Sequence, residues 1–384
     1  MIRVLHISSG NLFGGVETFL ISLAQQRNLC SEMEPEYGLC FEGRLSDELS
    51  ATGVPLHMLG NVRARNPLSV RRARRRLAKL LREREFDCVI CHNQWSQAIF
   101  GPAVNSADIP LVSWFHNSAS ERHLIDIWAR VAARPSLVIC NSSFTASTLP
   151  RSFSEIRTEV IYYPVPRPVI APDENERKLI RASLRTDNDA TVIIQVSRMQ
   201  SWKGHRLHLE ALSMLKDIPN WICWQVGGPQ RPSEITYFES LKAEAGRLGI
   251  AERIRFLGQR NDVPQLLRAA DLFCQSNLRP EPFGIVFIEA LFAALPVVAV
   301  ASGGALEIID DSCGFLTPPE AEAIAAAERV LIQDNVLRAA LGSAGPRRAQ
   351  MLCDVKTQIN KLAEILSSSV RPRGKADERA ERVH

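Results

Sequence analysis

Two glutamates in one short stretch have the spacing of a ligand site. Glu281 and Glu289 are separated by Pro282, Gly284 and an apolar run. Proline and glycine mark a turn, and the apolar run predicts a buried helix, so we expect Glu281 on a loop and Glu289 about one turn inside the helix. By itself this spacing more often means one acidic residue on an ordinary loop and another on a helix surface, with no ligand bound.

The start of the predicted helix is a candidate anion site. The amides of Gly284, Ile285 and Val286 fall at its first turn. Such amides have no partner within a helix, and together with the helix dipole they attract negative charge. Carboxylates beside an anion site suit a ligand that carries both hydroxyls and a phosphate, and a nucleotide sugar is such a ligand.

Two cations extend this interpretation. Arg198 and Lys203 lie on the loop that follows a predicted strand at residues 192–196. Fixed in place, an arginine fork and a lysine point charge would neutralise a diphosphate. The alternative is a pair of exposed surface charges.

The elements that must position these residues alternate between strand and helix. The chain opens with a short buried strand, a turn that contains Gly14 and Gly15, and a helix. The glycine pair either lets the backbone approach a phosphate or sugar, or serves only as a tight turn. Later strands end in polar residues such as His92 and His116, where open α/β sheets place their ligands. The alternation predicts parallel sheets with helices on both faces.

A proline-rich linker divides the chain into two domains. Four prolines lie between residues 164 and 172, and such a cluster marks a boundary. We predict an N-terminal domain at 1–165, a second α/β domain at 173–345, a C-terminal helical segment at 346–370 and a disordered tail at 371–384.

Composition and charge exclude several classes of protein. The 384 residues are 46% hydrophobic and 23% charged, with a net charge of +4 that is too small to indicate nucleic acid. The nine cysteines are dispersed, which predicts free thiols in a reducing cytosol. The first residues lack the apolar core of a signal peptide, and no run has the length of a membrane span. We therefore expect a cytoplasmic protein.

One predicted helix is strongly basic. Between residues 63 and 84 there are ten basic residues and one acid, Glu83. Apolar residues recur on one helical face, so the cations from Arg71 to Arg84 form the outer face of an amphipathic helix. This face is either simply solvated or bound to an anionic membrane, where each basic residue contributes roughly 1 kcal/mol. Nucleic acid is disfavoured because no aromatics are interleaved with the charges.

Together these features resemble the retaining glycosyltransferases of family 4, which have the GT-B fold. The resemblance covers residues 2–366 and is carried by four motifs: Gly14-Gly15, Arg198 with Lys203-Gly204, Glu281 with Glu289, and Ser302-Gly303-Gly304. It implies two Rossmann-like parallel-sheet domains that face each other across a cleft, with the donor bound mainly to the C-terminal one.

The resemblance also implies roles for individual residues. Arg198 and Lys203 would hold the donor diphosphate and Glu281 the transferred sugar, so these three are the expected catalytic residues. The expected donor-binding residues are Gly14, Gly15, His116, Leu257, Gly284, Ile285, Val286 and Glu289. In the reaction it implies, the anomeric configuration is retained and the leaving phosphate takes the acceptor's proton. No metal is expected, because the two cations and the helix terminus replace it.

The main functional hypothesis is therefore sugar transfer from a nucleoside diphosphate sugar, with a UDP-sugar as first choice and no other cofactor. The acceptor would be a lipid-linked glycan or a polysaccharide of the cell envelope or exopolysaccharide. The basic helix favours a lipid-linked acceptor at the inner face of the membrane. Two alternatives stay open: a GT-B sugar-nucleotide 2-epimerase, against which the paired cations and carboxylates argue, and a non-catalytic subunit that binds a sugar nucleotide.

Overall fold

The computed structural model describes five stretches of the chain, residues 1–10, 14–63, 65–119, 124–168 and 173–369. The predicted disordered tail at 371–384 lies outside them. The chain divides into two units. Unit 1 contains Met1–Pro166 and the segment from Asp354 onward, and unit 2 contains Arg167–Cys353.

Unit 1 is built on a parallel sheet. Its strands are β1 (Ile2–Ser8), β2 (Met33–Leu39), β3 (Leu56–Met58), β4 (Cys88–His92), β5 (Leu111–Phe115), β6 (Leu137–Cys140) and β7 (Thr158–Val160). They pair in the order β3-β2-β1-β4-β5-β6-β7. Its helices before the linker are α1 (Gly15–Gln25), α2 (Arg44–Ala51), α3 (Pro67–Glu83), α4 (Asn93–Asn105), α5 (Leu124–Ala132) and α6 (Ser143–Ser147). Both β4 and β5 are buried over their whole length, as expected for strands covered on both faces.

Unit 2 repeats this plan. Its strands are β8 (Thr191–Val196), β9 (Trp221–Val226), β10 (Ile254–Gly258), β11 (Leu272–Gln275), β12 (Val297–Val300) and β13 (Gly314–Thr317). They pair in parallel in the order β10-β9-β8-β11-β12-β13. Its helices are α7 (Glu174–Ser183), α8 (His205–Ser213), α9 (Pro232–Arg247), α10 (Val263–Ala269), α11 (Ile285–Phe292), α12 (Ala305–Ile308), α13 (Ala321–Gln333) and α14 (Asn335–Cys353). The predicted α/β fold with two parallel sheets is confirmed.

The strand order of unit 2 reverses at β8. In unit 2 the chain runs outward from β8 through β9 to β10, then returns to the other side of β8 as β11. Ligands of open α/β sheets bind at the carboxyl ends of the strands where the order reverses in this way. The loops that follow β8 and β11 are those with Lys203 and Glu281, so the topology brings them to this position.

The last helix, α15 (Val355–Ser369), belongs to unit 1. Its buried face includes Ile359 and Leu366, and the Lys361 ammonium donates to the carbonyl of Val160 at 2.8 Å. Pro346, at which the sequence analysis starts the C-terminal segment, lies inside α14 of unit 2. None of the described helices combines the length and apolar character needed to cross a membrane.

Candidate active site

The loops that follow β8 and β11 touch at Gly204. Residues Ser201–Lys203 form a 3-10 turn, and Gly204 ends it in the left-handed conformation with φ of 74°. A Cβ atom at Gly204 would lie 1.7 Å from the carbonyl oxygen of Ser276. Only glycine permits this approach, and the approach brings Lys203 to the loop that carries Glu281.

Lys203 and Glu281 form an ion pair there. The Lys203 ammonium donates to Glu281 Oε2, and Asn277 Nδ2 donates to the same oxygen at 2.9 Å. Lys203 is buried, and its ammonium lies 4.1 Å from the centre of the Trp202 ring. The interpretation of Lys203 as a loose surface charge is therefore wrong.

Arg198 lies on the same loop and is half-buried. Within the described part of the chain, no carboxylate lies at ion-pair distance from its guanidinium. The two predicted phosphate ligands thus differ: Arg198 offers an unpaired fork, whereas Lys203 has to exchange Glu281 for a phosphate.

Glu281 is held through its backbone by the loop after β12. Gly303 forms a parallel bridge with Glu281, and the Gly304 amide donates to the Glu281 carbonyl at 2.7 Å. Gly303 has φ of 63°, and a Cβ atom there would lie 2.2 Å from that carbonyl oxygen. The Ser302-Gly303-Gly304 motif therefore fixes Glu281 by close backbone contact.

The helix that follows Glu281 begins where the sequence predicts. Gly284 is the N-cap of α11, with φ of 97°, and Ile285 and Val286 form its first turn. Glu289 lies one turn further on. Burial raises the pKa of Glu289 to about 7, although part of its side chain still faces solvent. This carboxyl group therefore changes charge close to neutral pH.

Leu257 occupies a β-bulge in β10. Phe256 pairs with Gln225 and Gly258 with Val226, so Leu257 is the extra residue. Gly258 has φ of 66°, and its carbonyl accepts from the Gly227 amide at 2.8 Å. Bulges re-aim side chains at the ends of sheets, and this one places Leu257 at the carboxyl end of unit 2's sheet.

Gly14 and Gly15 lie at the start of α1 in unit 1. Gly14 has an extended backbone with φ of −168°. Among the described atoms, a Cβ there would meet Glu17 Oε2 at 3.7 Å, an ordinary contact distance. Described packing therefore does not demand glycine at residue 14.

His116 directly follows β5 and belongs to a buried row of hydrogen-bonded side chains. His6 Nδ1 lies 2.9 Å from His92 Nε2, and His92 Nδ1 lies 2.9 Å from His116 Nε2. His116 Nδ1 in turn lies 2.6 Å from the Tyr163 hydroxyl. Burial lowers the pKa of His6 and of His116 to about 3 each, so both rings are neutral. The predicted contact of His116 with a sugar would have to replace one of these hydrogen bonds.

The structure thus gathers the unit 2 candidates on the strand ends of one sheet and places Gly14, Gly15 and His116 in unit 1. Asn277 is a further residue of the site, which the sequence motifs do not include. Its signal was available, since it is a polar residue two positions after β11.

Comparison with known proteins agrees with this geometry. Residues 13–167 match the family described as Glycosyltransferase Family 4, and residues 176–348 match Glycosyl transferases group 1. The chain belongs to the family 4, group 1 glycosyltransferases. The resemblance read from its motifs is therefore confirmed.

Three proteins are similar to this glycosyltransferase over about half of its length or more. The structure of HepE from Anabaena in complex with UDP-glucose has 28% sequence identity and a TM-score of 0.84, and covers 96% of this chain and 100% of its own. D-inositol 3-phosphate glycosyltransferase from Jonesia denitrificans is 26% identical over 72% of this chain and 71% of its own. A GDP-mannose-dependent α-(1-6)-phosphatidylinositol monomannoside mannosyltransferase from Mycolicibacterium smegmatis is 32% identical over 51% of this chain and 53% of its own.

The basic helix of the glycosyltransferase is α3, and not all of its cations face solvent. Arg74 Nε donates to the Ile99 carbonyl at 2.5 Å, and Arg74 Nη2 to the Ala98 carbonyl at 3.1 Å. Pro102 lies inside α4 and has no N–H for the carbonyl four residues earlier, that of Ala98. Arg74 supplies the missing donor, so it is a structural residue and not part of a free cationic face.

Arg84 is also engaged, since it donates to the buried Glu36 carboxylate at 2.8 Å. Five arginines of α3 are exposed and have no carboxylate at ion-pair distance among the described residues: Arg71, Arg72, Arg75, Arg76 and Arg82. These five form the free cationic face of α3.

A cavity of about 570 Å³ lies between this face and the ends of β2 and β3. Arg72 and Arg76 contribute two positive charges and Glu42 one negative charge, and Phe41 and Met58 contribute apolar surface. Gly60 has φ of 90°, and a Cβ there would lie 2.0 Å from Arg76 Nη1. The glycine therefore lets the end of the Arg76 guanidinium approach the backbone at the cavity wall.

Within the described residues, one group of side chains has the composition of a metal site. His208, Cys274 and Glu328 are buried and place their ligand atoms within 4.8 Å of one another. His208 Nε2 and Glu328 Oε1 are 2.7 Å apart, so they are hydrogen-bonding partners of each other. The group lies in the core of unit 2, where Cys274 packs among aliphatic residues.

Proposed function

We propose that this glycosyltransferase moves a sugar from a nucleoside diphosphate sugar, most simply a UDP-sugar, to a lipid-linked or polysaccharide acceptor of the cell envelope. The observation that carries the proposal is the Lys203–Glu281 pair at the strand ends of β8 and β11, beside the unpaired Arg198. HepE, whose structure contains UDP-glucose and covers 96% of this chain, supports the choice of donor.

In this proposal the two cations act on the leaving group. Arg198 binds the diphosphate through its fork, and Lys203 turns from Glu281 to a phosphate oxygen. Both then neutralise the charge that develops when the bond between sugar and phosphate breaks, which is the interaction that lowers the barrier most. With two cations and the α11 terminus at the phosphates, the reaction would need no metal.

Glu281 is proposed to bind the sugar. When the Lys203 ammonium moves to the phosphate, Glu281 Oε2 can accept a hydrogen bond from a hydroxyl of the transferred sugar. Asn277 keeps the carboxylate in place. Glu289 would accept hydrogen bonds from the ribose hydroxyls. We infer a retaining reaction, in which the acceptor hydroxyl attacks from the face of the leaving phosphate and gives its proton to that phosphate.

The acceptor is proposed to carry an anionic group. Arg72 and Arg76 line the cavity of unit 1 and have no described carboxylate partner, so a phosphate would neutralise them. The names of the two enzymes compared above include inositol 3-phosphate and phosphatidylinositol monomannoside, which both bear phosphate. A lipid-linked phosphate would reach this cavity from a membrane bound to the free cationic face of α3.

A panel of nucleotide sugars tests the donor. UDP-glucose, GDP-mannose and their free nucleotides should be compared by thermal shift, because a ligand that binds the native state raises Tm according to its affinity. The matching sugar nucleotide should then be hydrolysed slowly when no acceptor is present. No shift with any nucleotide would refute the donor site. Binding without hydrolysis or transfer would favour the non-catalytic subunit, and conversion at C2 of the sugar the epimerase.

A further inference from the structure

A line of fully buried polar side chains lies beneath the Lys203 turn. It runs from Glu328 on α13 through His208 on α8 to Gln195 on β8, and each of the three has an exposed fraction of 0%. Polar groups without water must satisfy one another, because an unpaired buried donor or acceptor is strongly unfavourable. Each bond in the line therefore constrains the next.

The line ends on the backbone of the Lys203 turn. Gln195 Nε2 donates to the Lys203 carbonyl at 3.0 Å. The neighbouring carbonyl, that of Gly204, accepts from Ser276 Oγ at 2.8 Å. Two side chains from adjacent strands thus hold the two carbonyls at the end of the turn. Without Gln195 the Lys203 carbonyl would lose its partner.

His208 and Glu328 set the orientation of the Gln195 amide. Since Gln195 Nε2 is turned to the Lys203 carbonyl, Gln195 Oε1 faces His208 Nδ1 at 2.8 Å and accepts from it when this nitrogen carries the ring proton. His208 Nε2 faces Glu328 Oε1 at 2.7 Å. A reversed amide would set Gln195 Oε1 against the Lys203 carbonyl, with two acceptors face to face, so the amide has one favoured direction.

We propose that Gln195 is a positioning residue for the donor diphosphate, and that His208 and Glu328 hold its amide in the productive orientation. Gln195 acts through the Lys203 turn and touches no substrate. The proposal rests on the proposed role of Lys203 in binding the diphosphate. The proposal gives a function to three polar residues at core positions where packing alone would favour apolar side chains.

A matched pair of variants tests it. Gln195→Glu replaces the amide by an isosteric group that cannot donate when ionised but can donate when protonated. Gln225→Glu is the control: Gln225 pairs with Gln195 across the sheet, is equally buried and contacts His208 Nδ1 at 3.1 Å. It makes no hydrogen bond to the described atoms of the Lys203 turn.

UDP affinity is measured by calorimetry for each variant and for the wild type between pH 6 and 8. We expect Gln195→Glu to weaken UDP binding about tenfold at pH 8, and this loss relative to wild type should shrink toward pH 6, where the protonated carboxyl donates again. Gln225→Glu should stay close to wild type at every pH. If Gln195→Glu does not fold, Gln195→Met against Gln225→Met gives the same comparison without a buried charge and without the recovery at low pH.

The outcomes separate the two levels of the proposal. If the wild type binds none of the nucleotides of the thermal-shift panel, the donor site itself is refuted and the positioning role with it; if it binds GDP and not UDP, the same comparison is made with GDP. If the wild type binds and the two glutamate variants, or the two methionine variants, lose equal affinity, the donor site stands and the positioning role of Gln195 is overturned.

Discussion

Lys203 donates a hydrogen bond to the Glu281 carboxylate, and the two residues come from loops after adjacent strands of unit 2. The pair is largely buried and shares its carboxylate oxygen with Asn277. A buried ion pair of this kind adds little net stability, because desolvation opposes the attraction. In the proposed function, the pair holds a cation and a carboxylate in place until a donor replaces the contact between them.

Removing either proposed phosphate ligand should reduce turnover. Arg198→Ala and Lys203→Ala each remove a positive charge from the leaving group, so we expect kcat to fall about 100- to 1000-fold. Lys242→Ala on α9 is the control, since its ammonium pairs with the exposed Glu239 at 3.0 Å and should not affect turnover. Circular dichroism checks that each variant folds. Near-normal turnover in both site variants would contradict the assignment.

Gly303→Ala should displace Glu281. The added Cβ would meet the Glu281 carbonyl at 2.2 Å, and φ of 63° is unfavourable for alanine, so we expect a loss of about 1–3 kcal/mol in stability together with weaker UDP binding. Gly246→Ala in α9 is the matched control, because a Cβ there meets nothing within 4 Å. This variant should stabilise the helix by about 0.5–1 kcal/mol. Denaturant unfolding and calorimetry measure the two effects. Unchanged UDP affinity in Gly303→Ala would refute the positioning of Glu281 by this loop.

Glu289 should make donor binding depend on pH. Its pKa is raised by burial to about 7, so below neutral pH the carboxyl is protonated in the free protein and is a poorer acceptor for ribose hydroxyls. Donor binding favours the ionised form, and we expect affinity to rise with pH through 7 and protons to be released on binding. Calorimetry in buffers of different ionisation enthalpy measures the release. Glu289→Gln should lack this proton release. Equal proton release in both proteins would exclude Glu289 as its source.

The raised pKa of Glu289 affects stability in the opposite direction: donor affinity should rise with pH, whereas the free energy of unfolding should fall. Because the pKa of Glu289 is higher in the folded protein than the ordinary value of 4.5, the contribution of this group is most favourable at low pH. It is lost as the pH rises from about 4.5 through 7. The free energy of unfolding of Glu289→Gln, relative to wild type, should therefore increase over this range. A constant difference between the two proteins would contradict the raised pKa.

The free cationic face of α3 should bind anionic lipid. Replacing Arg71, Arg72, Arg75 and Arg76 with glutamine should reduce sedimentation with vesicles that contain phosphatidylglycerol, most clearly at low salt where charges are least screened. Vesicles of phosphatidylcholine alone measure the background. Unchanged sedimentation would mean that this face is only solvated.

Arg74→Gln supplies the matched control on the same helix. Like each single replacement in the cationic face, Arg74→Gln removes one positive charge. The Arg74 guanidinium, however, donates hydrogen bonds to the carbonyls of Ala98 and Ile99. We expect the variant to lower the free energy of unfolding by about 1–3 kcal/mol and to change vesicle binding little. Arg75→Gln should change the free energy of unfolding little and should reduce vesicle binding. Equal behaviour of these two single variants would refute the division of α3 into structural and free cations.

Sequence alone determined the fold class and the family of this protein. Alternating strands and helices, Pro282 and Gly284 before an apolar run, and Gly303 after a strand are local signals, because backbone conformation and periodicity act over a few residues. These signals placed Glu281 before α11 and Glu289 within it. They also placed Arg198 and Lys203 together on one loop.

Tertiary structure decided which of these residues are paired and which are free. Lys203 is joined to Glu281, 78 positions away in the chain, and Arg74 to carbonyls of α4, so neither partner could be read from neighbouring residues. The line from Glu328 to Gln195 likewise joins α13, α8 and β8. Hydrogen-bond partners depend on how separate elements pack, and the pKa of Glu289 depends on the same burial, whereas the pattern of one segment records only which of its own residues face inward.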